Sequence, residues 1–289
     1  MKMRGAAIGT FDGVHLGHCS VLDVLSRLCE EKDLSPVAIT FEKHPLAHIA
    51  PERCPVEITP LPQKKRLLGK YGVEPLVFTF DEEMRMTTAE EWMRKIYSEL
   101  GVRLLVIGYD NTFGYDGINL SIADYRALGQ KIGIEVVEAP ELKDISSSAI
   151  RKAVIAGDME NAERMLGRPY SLSGVVVEGN QVGRTLGFPT ANLNVPENSA
   201  VPAKGTYSGL VKLPDGKVYK AMVNIGTRPT LRRSDESVIE AHLIGFSGDL
   251  YGRQITLQFL KRLRDEIKFD TIEDLRKQIT RDKEMIVNS

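Results

Sequence analysis

Cysteine, tryptophan and net charge are all scarce in this chain. Its 289 residues hold three cysteines and one tryptophan, and the formal net charge is −1. Cys19, Cys29 and Cys54 are odd in number, lie in the first fifth of the chain and form no Cys-x-x-Cys pair, which excludes a disulfide framework and a cysteine-based zinc site. Free thiols in a reducing compartment are expected. Lys and Arg are dispersed, which excludes a binder of bulk nucleic acid whose affinity rests on neutralising phosphates. No apolar run approaches the ~18 residues of a membrane helix. The basic start, Met1-Lys2-Met3-Arg4, leads into a stretch broken by Thr10 and Asp12 before a signal-peptide core could form. A cytoplasmic protein is therefore expected, a monomer or weak oligomer with no membrane or nucleic-acid partner.

The chain does have the makings of a core, with 42% hydrophobic and 27% charged residues. Its most informative stretch is Ile8-Gly9-Thr10-Phe11-Asp12-Gly13-Val14-His15-Leu16-Gly17-His18. An apolar run precedes it, and Val21, Leu22, Leu25, Leu28 and Cys29 follow at helical spacing, so it reads as a strand-to-helix turn. The first amides of a helix lack intrahelical partners and its dipole is positive there, which suits phosphate. Zinc on His15 and His18 is disfavoured, because their spacing is three rather than the four of the metallohydrolase helix and no Glu lies between them.

Farther along, strand and helix patterns alternate. Strands are expected over Pro36 to Phe41, Leu76 to Phe80, Arg103 to Gly108 and Ile134 to Glu138, and helices over Gln63 to Lys70, Ala89 to Leu100 and Ile122 to Ile132. That alternation implies a parallel doubly wound sheet with helices on both faces, whose ligands bind at the carboxyl ends of strands. Two further strings carry polar groups: Gly108-Tyr109-Asp110-Asn111-Thr112-Phe113-Gly114 and Ile145-Ser146-Ser147-Ser148-Ala149-Ile150-Arg151. By themselves they read as a turn and a serine cap.

The second half changes character. After a charged helical stretch, Ser171 to Glu178, Gly205 to Leu213, Val218 to Ile225, Ser237 to Phe246 and Gln254 to Leu260 read as strands with little helix between them, which predicts an antiparallel barrel. A closing helix, Thr271 to Met285, places Ile272, Leu275, Ile279 and Ile286 on one side. The expected division is a domain over 1–157, a linker over 158–168 and a barrel domain over 169–289. Gly183-Arg184-Thr185-Leu186-Gly187-Phe188-Pro189-Thr190-Ala191-Asn192 lacks the ending of a Walker A loop. On the later strand, alternation sets Glu240 and His242 on one face and Ile239, Ala241 and Leu243 on the other.

The opening string resembles the G-x-F-D-G-x-H-x-G-H signature of the nucleotidyltransferase superfamily, whose histidines face the phosphates of ATP during adenylyl transfer. The Asp110 and Ser146–Arg151 strings are similar to two further motifs of that superfamily. The resemblance implies that Gly9, Thr10, Phe11, Asp12, Gly13, Asp110, Ser146, Ser147 and Ser148 bind ATP, and that His15, His18 and Arg151 serve catalysis. No Ser-His-Asp pattern is needed, since attack on an α-phosphate asks for positioning and charge stabilisation. The later string resembles the G-R-x-x-G-F-P-T-A-N motif of riboflavin kinases. This implies ATP contacts from Gly183, Arg184, Gly187, Pro189 and Asn192, Mg²⁺ held by Thr190 and Asn192, a catalytic base in Glu240 and a flavin contact from Arg264.

Taken whole, the chain resembles the bifunctional bacterial riboflavin kinase/FAD synthetases. The expected substrates are riboflavin, FMN and ATP with Mg²⁺, and the expected products FMN and FAD. The sequence departs from the family pattern at Lys43, at Asn111-Thr112 and at Gly245, which stands where an Asp is usual. The alternative reading is an adenylyltransferase whose barrel serves only as a flavin-binding module.

Overall fold

The computed structural model describes residues 2–109, 111–179, 182–227 and 237–288, with the side chains of Val182 and Arg184 outside the description. The chain divides into two compact units, Met1–Ser147 and Ser148–Ser289.

In the first unit the elements are β1 (Arg4–Ile8), α1 (Leu16–Glu31), β2 (Ser35–Phe41), α2 (Leu46–Ile49), α3 (Leu61–Lys70), β3 (Glu74–Phe78), α4 (Glu82–Met86), α5 (Ala89–Leu100), β4 (Val102–Ile107), α6 (Ile122–Ile132) and β5 (Glu135–Glu138). The five strands form one sheet in the order β3-β2-β1-β4-β5, and every neighbouring pair is parallel. Alternation splits the core between the two faces of this sheet. Ala6, Ile8, Val37, Ile39, Leu105 and Ile107 meet Trp92, Met93 and Ile96 of α5 on one face. Ala7, Ala38, Leu104 and Val106 meet Leu22, Leu25 and Cys29 of α1 and Leu68 of α3 on the other.

Local sequence sets the helix limits. Thr88 and Glu91 form a capping box at the start of α5, Ser121 and Asp124 do the same for α6, and Gly101 and Gly133 end these helices in the left-handed conformation. Gly5 is a different requirement: a Cβ there would lie 2.3 Å from Cys29 Sγ, so α1 packs flush on β1. The Cys29 thiol is held above its ordinary pKa by burial, as befits a core cysteine.

The boundary between the units falls at the first residue of α7 (Ser147–Ala156). The second unit continues with α8 (Met159–Leu166), β6 (Tyr170–Val177), α9 (Val182–Thr185), β7 (Ala191–Asn194), β8 (Gly205–Lys212), β9 (Val218–Thr227), β10 (Ser237–Leu243), β11 (Gln254–Arg264) and α10 (Ile272–Asn288). Its strands close into an antiparallel barrel ordered β10-β7-β6-β11-β8-β9, filled by Tyr170, Leu172, Tyr207, Val223, Leu257 and Phe259.

Three expectations change here. The 158–168 stretch, expected as a helical linker, carries α8, which packs through a buried stripe of Met159, Ala162, Met165 and Leu166. Gly157, at φ +78°, breaks the helical stretch before it. Ile272 is 72% exposed, while the polar Asp282 is fully buried in the stripe of α10. Gly245, expected inside a strand over 237–246, lies beyond the end of β10 at φ +77° and serves the turn.

Candidate functional site

The chain runs from β1 out to β2 and β3 on one side and returns to β4 on the other, which makes the carboxyl ends of β1 and β4 the switch point of the sheet. The turn after β1 fills this place. Gly9 N–H donates to Ile39 O at 3.0 Å. Phe11 and Val14 then adopt left-handed φ of +48° and +39°, and Gly13 +91°. For non-glycine residues this costs about 1–3 kcal/mol each. Burial of both side chains, Phe11 at 2% and Val14 at 1% exposure, offsets it by an amount of the same order.

His15 is the N-cap of α1. Its Nδ1 accepts from His18 N–H at 3.3 Å, and His18 Nδ1 accepts from His15 N–H at 3.4 Å. The rings stack at 3.7 Å. With both Nδ1 atoms accepting, each neutral imidazole carries its proton on Nε2, a tautomer assigned from the hydrogen bonds. A Cβ on Gly17 would come within 3.1 Å of the His15 ring, so glycine lets that ring lie down.

Asp12 is buried at the turn. Its buried carboxylate accepts from Ile58 N–H at 3.0 Å and Thr59 N–H at 2.9 Å, and thereby clips the turn to the 58–59 backbone. Its carbonyl accepts from Ser147 Oγ at 2.8 Å, which brings the start of α7 to the turn. Ser146 is half-buried and Ser148 exposed. Arg151 lies a turn further along α7, half-buried. Asp110 lies outside the described residues, but its neighbour Asn111 donates from Nδ2 to Ile8 O and so ties the loop after β4 to the end of β1. Beside Gly9 and Thr10 opens a cavity of about 510 Å³ lined by Phe41, Phe80, Trp92, Phe113 and Tyr115. Sequence reasoning missed it, because its aromatic wall comes from well-separated segments.

In the second unit, β10 pairs with β7 so that Glu240 stands directly opposite Asn192. Cross-strand partners share a face, and alternation adds His242 beside Glu240. Asn192 is 6% exposed. The chain folds tightly against it: a Cβ on Gly179 would lie 2.1 Å from its amide nitrogen. A Cβ on Gly183 would lie 2.4 Å from Phe188 O, and Phe188 N–H closes the loop by donating to Gly183 O at 2.8 Å. Gly187 turns the loop at φ +85°.

His242 fixes the next residue of the motif, its Nδ1–H donating to Pro189 O at 2.8 Å. Its Nε2 is buried without a hydrogen-bond partner among the described residues. Burial is the main cause that lowers the pKa of this ring, and the Lys283 charge adds to it while the Pro189 carbonyl opposes it. The Arg184 side chain and the 228–236 segment, with Arg228, Pro229 and Thr230 of a family-like string, lie outside the described residues. Arg264, expected at a flavin ring, is committed elsewhere. Its Nε and Nη2 donate to Asp282 Oδ2 at 2.9 and 2.8 Å, and Nη1 donates to Asp265 O, so it anchors α10 to β11.

A histidine-capped glycine turn at a parallel switch point, followed by a barrel face carrying a carboxylate opposite an amide, fits a two-site nucleotide-dependent transferase. A family model described as FAD synthetase matches residues 2–152, and one described as riboflavin kinase matches residues 166–289. The chain belongs to the family of bifunctional riboflavin kinase/FMN adenylyltransferases. The member from Bacillus subtilis is 37% identical over 96% of this chain and 90% of its own length. Those from Haemophilus influenzae and Escherichia coli K12 are 34% identical, over 98% and 96% of this chain and 93% and 89% of their own. A crystal structure described as a macrolide-efflux protein from Streptococcus pneumoniae matches with a TM-score of 0.91 at 30% identity, covering 100% of this chain and 95% of that one. Efflux is said of that protein; among the described residues here no helix is long and apolar enough to cross a membrane.

Proposed function

We propose that the two reactions of the family are divided between the units: riboflavin is phosphorylated on the Glu240 face of the barrel, and FMN is adenylylated at the switch point of the sheet. The chain is a riboflavin kinase and FAD synthetase, converting riboflavin and ATP to FMN and ADP, then FMN and ATP to FAD and pyrophosphate. The observation that carries the division is that Glu240 stands opposite Asn192 in the second unit, whereas the His15–His18 pair caps α1 in the first.

In the barrel, Glu240 takes the proton of the riboflavin primary hydroxyl as its oxygen attacks the γ-phosphorus of ATP. Thr190 and Asn192 fit Mg²⁺: they offer neutral hard oxygens, and among the described residues no cluster of three or more His, Cys, Asp or Glu could hold a metal alone. When bound, the ion neutralises charge on the phosphates of ATP. Gly183, Gly187 and Pro189 shape the loop that carries these two residues, and Arg184 is assigned to the same nucleotide.

In the first unit a phosphate oxygen of FMN attacks the α-phosphorus and pyrophosphate departs. The Nε2–H groups of His15 and His18 and the amides of 9–13 stabilise the charge that grows on the phosphates. Ser146 to Ser148, Arg151 and Asp110 complete the nucleotide contacts, and Arg151 offers a forked donor to the leaving pyrophosphate. The aromatic cavity beside Thr10 takes the isoalloxazine ring of FMN. With so few cysteines and no Cys-x-x-Cys pair, the enzyme suits the cytoplasm, acting as a monomer or weak oligomer. The test is a time course of purified protein with riboflavin, ATP and Mg²⁺, separating the flavins by chromatography. FMN should rise and then give way to FAD. Untouched riboflavin alongside conversion of added FMN would reduce the barrel to a binding module.

A further inference from the structure

Lys64 is a buried cation that adenylyl transfer, as set out above, leaves without a task. It lies in the first turns of α3 at 8% exposure, and its Nζ donates to Thr10 O at 3.0 Å and to Phe41 O at 3.2 Å. Phe41 is the last residue of β2, and Thr10 lies two residues beyond the end of the adjacent β1. Thr40 Oγ1 adds a third donor, to Thr10 O at 3.1 Å. A trans peptide carries its C=O and N–H on opposite sides. Holding the Thr10 carbonyl toward Lys64 therefore turns the Phe11 N–H to the other side of the turn. The turn needs holding, because Phe11 and Val14 are both left-handed, and such residues persist only where their surroundings over-determine them.

Charge gives Lys64 a second role. Burial lowers its pKa, and the charges of Asp12 and Glu57 oppose that shift. Glu57 is itself held above the ordinary carboxylate range, by burial first and then by Asp12. The ammonium thus feels two carboxylate charges while its hydrogen bonds hold the carbonyls of Thr10 and Phe41.

We infer that Lys64 is a positioning residue for adenylyl transfer: it holds the Thr10–Phe11 peptide with its N–H toward the phosphates and offsets the negative charge of Asp12 and Glu57 behind the turn. The inference rests on the reading of this turn as the ATP site. Lys64→Met keeps the length and burial of the side chain while removing its charge and donors.

Both activities are to be measured on the full chain. In this variant the ATP KM for FAD formation should rise at least about tenfold and kcat/KM fall by about 10²-fold, with the FMN KM within about twofold of wild type. FMN formation from riboflavin should stay unchanged. Lys64→Gln, which keeps one neutral donor, should fall between the two. A general loss of packing would not separate the ATP KM from the FMN KM or spare the kinase. Wild-type adenylylation constants in Lys64→Met overturn the inference. If that variant fails to fold, Lys64→Gln decides alone: a raised ATP KM with intact kinase supports the inference, and unchanged constants overturn it. Wild-type enzyme that makes no FAD from FMN would instead overturn the reading of the site, and the inference with it.

Discussion

The two units present different groups at the sites proposed for ATP. In the first, the proposed phosphate contacts are backbone amides and imidazoles on a strained turn between a parallel strand and a helix. In the second, they are side-chain oxygens on two antiparallel strands, where Glu240 stands opposite Asn192. The reactions account for the contrast. A phosphate of FMN is already an anion, so adenylyl transfer asks only for positioning and charge stabilisation. A riboflavin hydroxyl must lose a proton, so the kinase needs a base beside the groups that hold ATP. Parallel topology supplies a helix N-terminus at the switch point, whereas antiparallel register sets two side chains about 5 Å apart on one face.

Breaking one site at a time should separate the reactions. The largest effect is expected from Glu240→Gln, which keeps the shape but removes the proton acceptor: FMN formation should fall by about 10²–10⁴-fold while FAD formation from supplied FMN persists. His18→Ala should do the reverse, lowering adenylylation by about 10²–10³-fold with the kinase intact. Gly183→Ala should act only on the kinase, since its Cβ would press on Phe188 O at 2.4 Å and shift Thr190. A loss of up to about 10²-fold in kinase kcat/KM is expected, read in the same assay.

The smallest effect concerns pH. His242 has a folded pKa below its ordinary 6.5, so the unfolded chain binds the proton first as pH falls. The contribution to barrel stability is complete above about pH 6.5 and is lost as pH falls through the lower folded value. His242→Asn keeps a donor for Pro189 O and removes the titration. Its melting temperature, followed from about pH 7.5 to 5, should lose the downward slope that wild type shows over that interval.

The same contrast governs what could be read in advance. Elements marked by local chemistry were legible. Thr88 and Glu91 announce α5, Thr271 and Asp274 announce α10, and Pro214-Asp215-Gly216 announces the turn between β8 and β9. β7 was hidden, because Ala191–Asn194 reads as the tail of a loop and becomes a strand only through its pairing with β6 and β10. Motif strings likewise gave residue identities but not orientations. The Asp12 carboxylate also clips the 58–59 backbone, and Arg264 also pairs with a buried Asp282, contacts that no local string announces. Ile272 fits the apolar period of α10 yet faces solvent, because the helix docks through its later turns. Lys64 carried no signal at all, and His242 only its place on the Glu240 face of the strand. Each acts by reaching a carbonyl distant in sequence, and no local pattern encodes that.

The most direct test of the division of labour is one product time course run side by side on wild type, Glu240→Gln and His18→Ala, each given riboflavin or FMN with ATP and Mg²⁺. Wild type should carry riboflavin through FMN to FAD, Glu240→Gln should leave riboflavin but convert FMN, and His18→Ala should stop at FMN. A single substitution that abolishes both conversions in a folded protein, or Glu240→Gln that phosphorylates riboflavin at a near-normal rate, would contradict the account.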